Sequence, residues 1–223
     1  MGLVIDRSLR TVKRNALSPV SAFLAHRLVR RGAGPVTLAG LAIGLAAALA
    51  AALGAFAAAL ALWLLNRLLD GLDGEVARRL GHADDRGGYF DLLVDLSVYA
   101  AVPIGAAIGT AGLAGGSGTP GSVWTWPLVA ALLATYYVNL GSYAFLAALM
   151  EKRGRGAAER GEATSLVMPA GLVEGFETVV LVSAMLAFPG QLPVWLGLTA
   201  VLVAVTAGQR AWWANRTLVG QNP

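Results

Sequence analysis

The chain has 223 residues, 57% of them hydrophobic and 13% charged, against roughly 25% charged in an ordinary globular domain. With a mean hydropathy of +0.64, it carries more apolar side chain than a soluble core of this size needs. Such a composition excludes an ordinary soluble domain, a disordered chain, a coiled coil and a nucleic-acid binder relying on a broad basic face. What remains is an all-α multi-pass membrane protein. At ~20 residues per span, six helices take about 120 residues and leave short loops with one terminal appendage. There is no cysteine, hence no disulfide, thiolate metal site or thiol nucleophile.

In chain order, Met1 is followed by Asp6, Arg7, Arg10, Lys13 and Arg14 rather than by an apolar run, so the N-terminus does not read as a signal peptide. Residues 4–31 interleave Val4, Ile5, Leu9, Val12, Leu17, Val20, Phe23, Leu24 and Leu28 with seven basic residues. Residues 1–34 therefore read as an amphipathic segment on the membrane surface, broken at Asn15 to Pro19. A solvated basic tail would not need apolar residues at helical spacing.

Six apolar runs follow, at 36–53, 55–77, 88–110, 124–149, 168–188 and 192–213, predicting six transmembrane helices in a domain spanning 35–215, with a tail at 216–223. Gly54, the flexible stretch Gly112 to Gly121, the charged loop 151–163 and the turn from Pro189 to Pro193 separate them. The connections at 54, 111–123 and 189–192 contain no Lys or Arg. The basic residues lie on the other side, or in adjoining helix ends with Arg67 the deepest, which places both termini in the cytoplasm.

Ionisable groups inside spans point to function, and here they cluster. Asp70 and Asp73 end the second helix; Asp91 and Asp95 open the third. At 100° per residue, Asp70, Asp73 and Ala77 share a roughly 60° arc, and Asp91 and Asp95 lie ~40° apart. The four carboxylates are thus able to converge between antiparallel helices. Such anions repel strongly unless cations neutralise them, and all-oxygen ligation without His or Cys favours magnesium or manganese. A pair of these ions typically clamps a phosphoryl group. Gly71 and Gly74 leave room for a ligand, and Arg78 is placed to meet an anion. Taken singly, the small residues equally permit close helix packing, and Arg78 equally serves topology.

These residues resemble the CDP-alcohol phosphotransferase family, which shares D-x2-D-G-x2-A-R-x8-G-x3-D-x3-D. Here it reads Asp70, Asp73, Gly74, Ala77, Arg78, Gly87, Asp91 and Asp95, every fixed position matching. The stretches NRLLDGLDGEVARR, GGYFDLLVDLSVYA and GLVEGFET extend the likeness to a bacterial inner-membrane branch. The resemblance implies a homodimeric six-helix enzyme that displaces CMP from a CDP-alcohol by attack of a second alcohol. It further implies one metal ion held by Asp70, Asp73 and Asp91, and a second by Asp70, Asp91 and Asp95. Asp95 would be the general base, with Gly74, Ala77 and Arg78 on the cytidine phosphate and Gly87 admitting it. The residues alone do not single out Asp95 as base, because a metal-bound carboxylate is a poor one unless an oxygen stays free. Related synthases often carry a hydroxyl residue where this chain has Asp84, followed by Asp85; both read as caps of the third helix.

Secondary candidates keep two readings each. Glu174 and Glu177, three apart near the start of the fifth helix, either bind the acceptor or pair structurally with Arg67 or Arg210. Lys152, Arg153, Arg155 and Arg160 bear on the acceptor's charge, and Arg153 and Arg210 join the candidate acceptor pocket. Asn66, one turn before Asp70, meets either ligand or a neighbouring helix. Thr37 touches the nucleotide or caps the first helix. His26 and His82 have no ligand spacing. The six tryptophans read mostly as interfacial anchors.

The expected activity is transfer of a substituted phosphate, phosphatidyl from CDP-diacylglycerol, to an acceptor alcohol in the bacterial inner membrane, with the site facing the cytoplasm and no nucleic-acid partner. Glycerol phosphate, inositol or its phosphate, serine and a second lipid stay open as acceptors, as does a soluble CDP-alcohol as donor. The competing class is a cation transporter, which should show symmetry between halves or broken helices at mid-membrane; these aspartates have no counterpart in the second half.

Overall fold

A computed structural model describes residues 34–80, 85–113, 122–154, 171–173 and 175–219, with the backbone alone described for 73–80, 85–86, 112–113, 122 and 219. The surface segment expected at 1–34 falls outside the described residues except for Gly34. So do His26, His82, Asp84, Arg155, Arg160 and Glu174.

Among the described residues, six helices follow one another: α1 Gly34–Ala52, α2 Phe56–Leu80, α3 Asp85–Leu113, α4 Ser122–Lys152, α5 Gly175–Ala187 and α6 Leu192–Val219, with a 3-10 turn at Pro189–Gln191 before α6. The same residues contain no strand. Each expected apolar run corresponds to one helix, with shifted ends. α2 continues through Gly71 and Gly74 to Leu80, and α6 continues to Val219, past the boundary expected at 215. Four helical segments are long and apolar enough to cross a membrane: Gly34–Ala52, Gly87–Ala111, Val123–Lys152 and Pro189–Leu218. The two helices outside this set are α2, which carries Arg67, Asp70 and Asp73, and α5, which has 13 residues.

The chain divides into two units, 1–113 and 114–223. In the first, α1 lies against both α2 and α3, whose own backbones approach each other far less. The cause is composition. Val36, Gly40, Gly44, Ala47, Ala48 and Ala51 form a buried stripe on α1 at helical period, and nearly all are too small to hold a neighbour away. On α3 the reciprocal positions are glycine. A Cβ at Gly105 would strike the carbonyl oxygen of Ala48, and one at Gly109 that of Ala51, the close backbone approach that small residues permit in membrane helices. Gly54, at φ 77°, makes the turn from α1 to α2 in a conformation open to glycine without steric cost.

In the second unit α4 lies mainly against α6, and α5 also packs on α6. Leu181 of α5 and Val203 of α6 form a small core with Val173. The apolar run predicts a fifth helix from residue 168, yet the helix begins at Gly175. Residues 171–173 are not helical, because side chains of α6 take up their backbone donors: Leu172 N–H donates to Gln209 Oε1 at 2.9 Å and Val173 N–H to Thr206 Oγ1 at 2.9 Å.

Candidate active site

α2 and α3 bring together part of the expected carboxylate set. The Asp70 carboxyl lies near enough to that of Asp95 for their charges to interact. Asp91 is half-buried one turn before Asp95 on α3. Helical spacing explains the alignment: Asp91, Asp95 and Tyr99 recur at intervals of four, as do Trp63 and Arg67, and Asn66 and Asp70, on α2.

The centre of this arrangement is Arg67. It is 7% exposed and its Nη2 lies 2.9 Å from Oδ1 of Asp95. Its Nε and Nη2 also donate to Asn66 Oδ1 at 2.9 and 2.6 Å, and Nη1 donates to the Tyr99 hydroxyl at 2.9 Å. Oδ1 of Asp95 is buried and forms an ion pair with Arg67. The guanidinium carbon sits 4.8 Å from the ring centres of both Trp63 and Tyr99, which themselves meet edge to face at 5.8 Å. Two aromatic faces stabilise a desolvated guanidinium by cation–π attraction, while the carboxylate supplies the opposite charge that a buried cation requires.

Two expectations change here. Trp63 is fully buried beside Arg67, so it is no interfacial anchor, whereas Trp124, Trp126 and Trp212 are exposed. Asn66 is 1% exposed, its Nδ2 donating to Gly40 O on α1 at 2.8 Å and its Oδ1 accepting from Arg67. Both ends of the amide are therefore engaged within the protein. From sequence, Arg67 stands out only as a deep charge; the signal for its surroundings was the aromatic residue four before it and the tyrosine four after Asp95.

The remaining candidates are less gathered. Backbone placement puts Asp73, Gly74, Ala77 and Arg78 on α2, and Asp85 begins α3. Gly87 is exposed in the first turn of α3, and Thr37 is half-buried in the first turn of α1. In the second unit, Glu177 is exposed in the first turn of α5. Arg210 Nη1 donates to Asn139 Oδ1 at 2.8 Å and its guanidinium carbon lies 5.8 Å from the Tyr143 ring centre. Arg153 Nη1 donates to Leu218 O at 3.3 Å, near the end of α6.

Among the described residues, no three of His, Cys, Asp and Glu stand together as a metal-binding group, and the side chain of Asp73 is not among them. The donors that are described are carboxylate oxygens, a set whose chemistry suits a hard divalent ion. Adjacent Asp70 and Asp95 also repel unless further positive charge joins Arg67.

A family model for CDP-alcohol phosphatidyltransferase matches residues 33–208. The chain belongs to this family. It is accordingly an enzyme of the phosphatidyltransferase class, and the motif of Asp70 to Asp95 lies inside the matched region. It is 37% identical over 190 residues to the inner membrane protein YnjF of Escherichia coli strain K12, covering 82% of each chain. In fold it resembles phosphatidylinositol phosphate synthase PgsA1 of Mycobacterium tuberculosis. With CDP-DAG bound to that protein the TM-score is 0.66 at 23% identity, covering 88% of this chain and 94% of the other. The apo form gives 0.59 at 23% identity, covering 85% and 93%.

Proposed function

We propose that this phosphatidyltransferase takes CDP-diacylglycerol as donor and transfers its phosphatidyl group to an acceptor alcohol with release of CMP. The observation that carries this reading is the approach of Asp70 and Asp95 across α2 and α3, inside a family motif all of whose eight fixed residues are present. The likeness in fold to a protein with CDP-DAG bound supports the donor. Apolar helices around the site would let the acyl chains remain in the bilayer while the nucleotide meets the helix ends.

Asp70, Asp73, Asp91 and Asp95 would hold two magnesium or manganese ions, which when bound neutralise charge on the transferring phosphate. Arg78, with Gly74, Ala77 and Gly87 leaving room, would receive the cytidine phosphate part. Asp95 would take the proton of the acceptor hydroxyl as its oxygen forms the new bond to phosphorus, and the bond to the CMP phosphate breaks. Glu177, Glu174, Arg153 and Arg210 would line the acceptor pocket. All six helices would span the inner membrane, both termini and the site facing the cytoplasm, in a homodimer.

The test is CMP release by purified protein with CDP-diacylglycerol and magnesium or manganese against a panel of acceptor alcohols, with Asp95→Asn as control. Turnover lost in the variant supports the reading and names the acceptor. Turnover only with a soluble CDP-alcohol would replace the donor. Neither turnover nor metal-dependent binding of CDP-diacylglycerol would refute the donor assignment.

A further inference from the structure

Arg67 differs from an ordinary ion-pair partner in how its orientation is set. Three of its hydrogen bonds end on neutral groups, two on Asn66 and one on Tyr99, and both ring contacts are with Trp63 and Tyr99. Asn66 is itself tied to α1 through Gly40 O. The guanidinium is therefore oriented by neutral groups of α2 and α3, with α1 acting through Asn66, in addition to its ion pair with Asp95. Asp95, by contrast, has its buried Oδ1 directed at this cation, 2.9 Å from Nη2. Because Oδ1 is buried while the Asp95 side chain is 26% exposed, the accessible part of the carboxylate is not the oxygen beside Arg67.

We propose that Arg67 is a positioning residue: a cation preorganised by Trp63, Asn66 and Tyr99 that fixes one oxygen of Asp95 by charge and so presents the other to the reaction. This inference rests on the reading of Asp95 as a site residue. Preorganised charge of this kind needs no reorganisation when the reaction occurs. It also offsets one of the four motif carboxylates, reducing the charge that bound ions must neutralise.

The experiment is a double-mutant cycle on the full chain in detergent micelles, combining Arg67→Met with Asp95→Asn and reading Mn2+ affinity by electron paramagnetic resonance. Loss of a cation alters the ion's surroundings on both backgrounds, whereas loss of positioning acts only where Asp95 is present. The expected result is a coupling of about fivefold or more between the two substitutions. Independent, multiplicative effects would overturn the proposal. In CMP release, Arg67→Met is expected to lower kcat about tenfold or more with donor KM within about threefold, and Arg67→Lys, which keeps the charge, to recover part of the loss. Tyr99→Phe, the milder variant should Arg67→Met not fold, is expected to lower kcat severalfold in a protein that still folds. A rise in donor KM at unchanged kcat would make Arg67 a donor-binding group instead. A wild-type protein that neither binds Mn2+ nor releases CMP would overturn the site reading itself, and this inference with it; wild-type activity with a non-coupled cycle would overturn the inference alone.

Discussion

Replacing Asn66 by leucine separates a helix contact from a ligand contact. The substitution removes one bond to Gly40 O at 2.8 Å and two from Arg67 at 2.9 and 2.6 Å. Gly40 lies inside α1, where its carbonyl also serves the helical ladder, so its loss resembles an average interhelical bond in a membrane, about 0.6 kcal/mol. Arg67 is different: a buried cation loses its acceptor for two donors, and hydrogen bonds to charged groups are worth about 1.5–3 kcal/mol. Together these give a destabilisation of about 2–4 kcal/mol for Asn66→Leu. The assay is reversible unfolding in mixed micelles followed by tryptophan fluorescence. An Asn66→Leu variant within about 0.5 kcal/mol of wild type would refute the reasoning, since surface substitutions alone span that range. If stability held while donor KM rose about tenfold, Asn66 would be a ligand residue.

Other outcomes follow from the same contacts. Gly105→Leu would drive its side chain into the Ala48 carbonyl and force α1 from α3, costing about 3 kcal/mol or more where overpacking alone costs about 1–3; Gly208→Ala, with nothing within 4 Å of the added Cβ, should be neutral or stabilising by up to about 1 kcal/mol, both read as unfolding free energies. Thr206→Val removes the acceptor of the Val173 N–H, so stability should fall by about 1–2 kcal/mol, with faster hydrogen exchange at 173; unchanged exchange would refute the latch. Asp91→Asn should abolish divalent-dependent CMP release while leaving the thermal midpoint close to wild type, and chelation of the wild type should do the same reversibly on return of magnesium. Full activity in chelator would refute the metal requirement.

Much of the architecture was legible because its signals are local. Six apolar runs correspond to six helices, and Asp70 of α2 and Asp95 of α3 come near each other, since helical periodicity is a property of the chain itself. Helix ends were less legible. Residues 168–174 are apolar enough to read as part of α5, yet the described backbone at 172 and 173 is held by Gln209 and Thr206, partners 37 and 33 positions away.

What the sequence determined by itself was therefore the family motif with its carboxylates and the apolar runs, each a matter of residue type at fixed spacing. Only the tertiary structure decided the surroundings of that site. Whether Trp63 anchors an interface or covers a cation, and whether Asn66 meets a ligand or a helix, depends on what α1 and α3 place opposite them. Small residues at Gly40, Gly44 and Ala48 bring α1 against its neighbours, and that approach buries Asn66 and Arg67. Once water is removed, each polar group must find its partner within the protein, and the partners stand on three different helices.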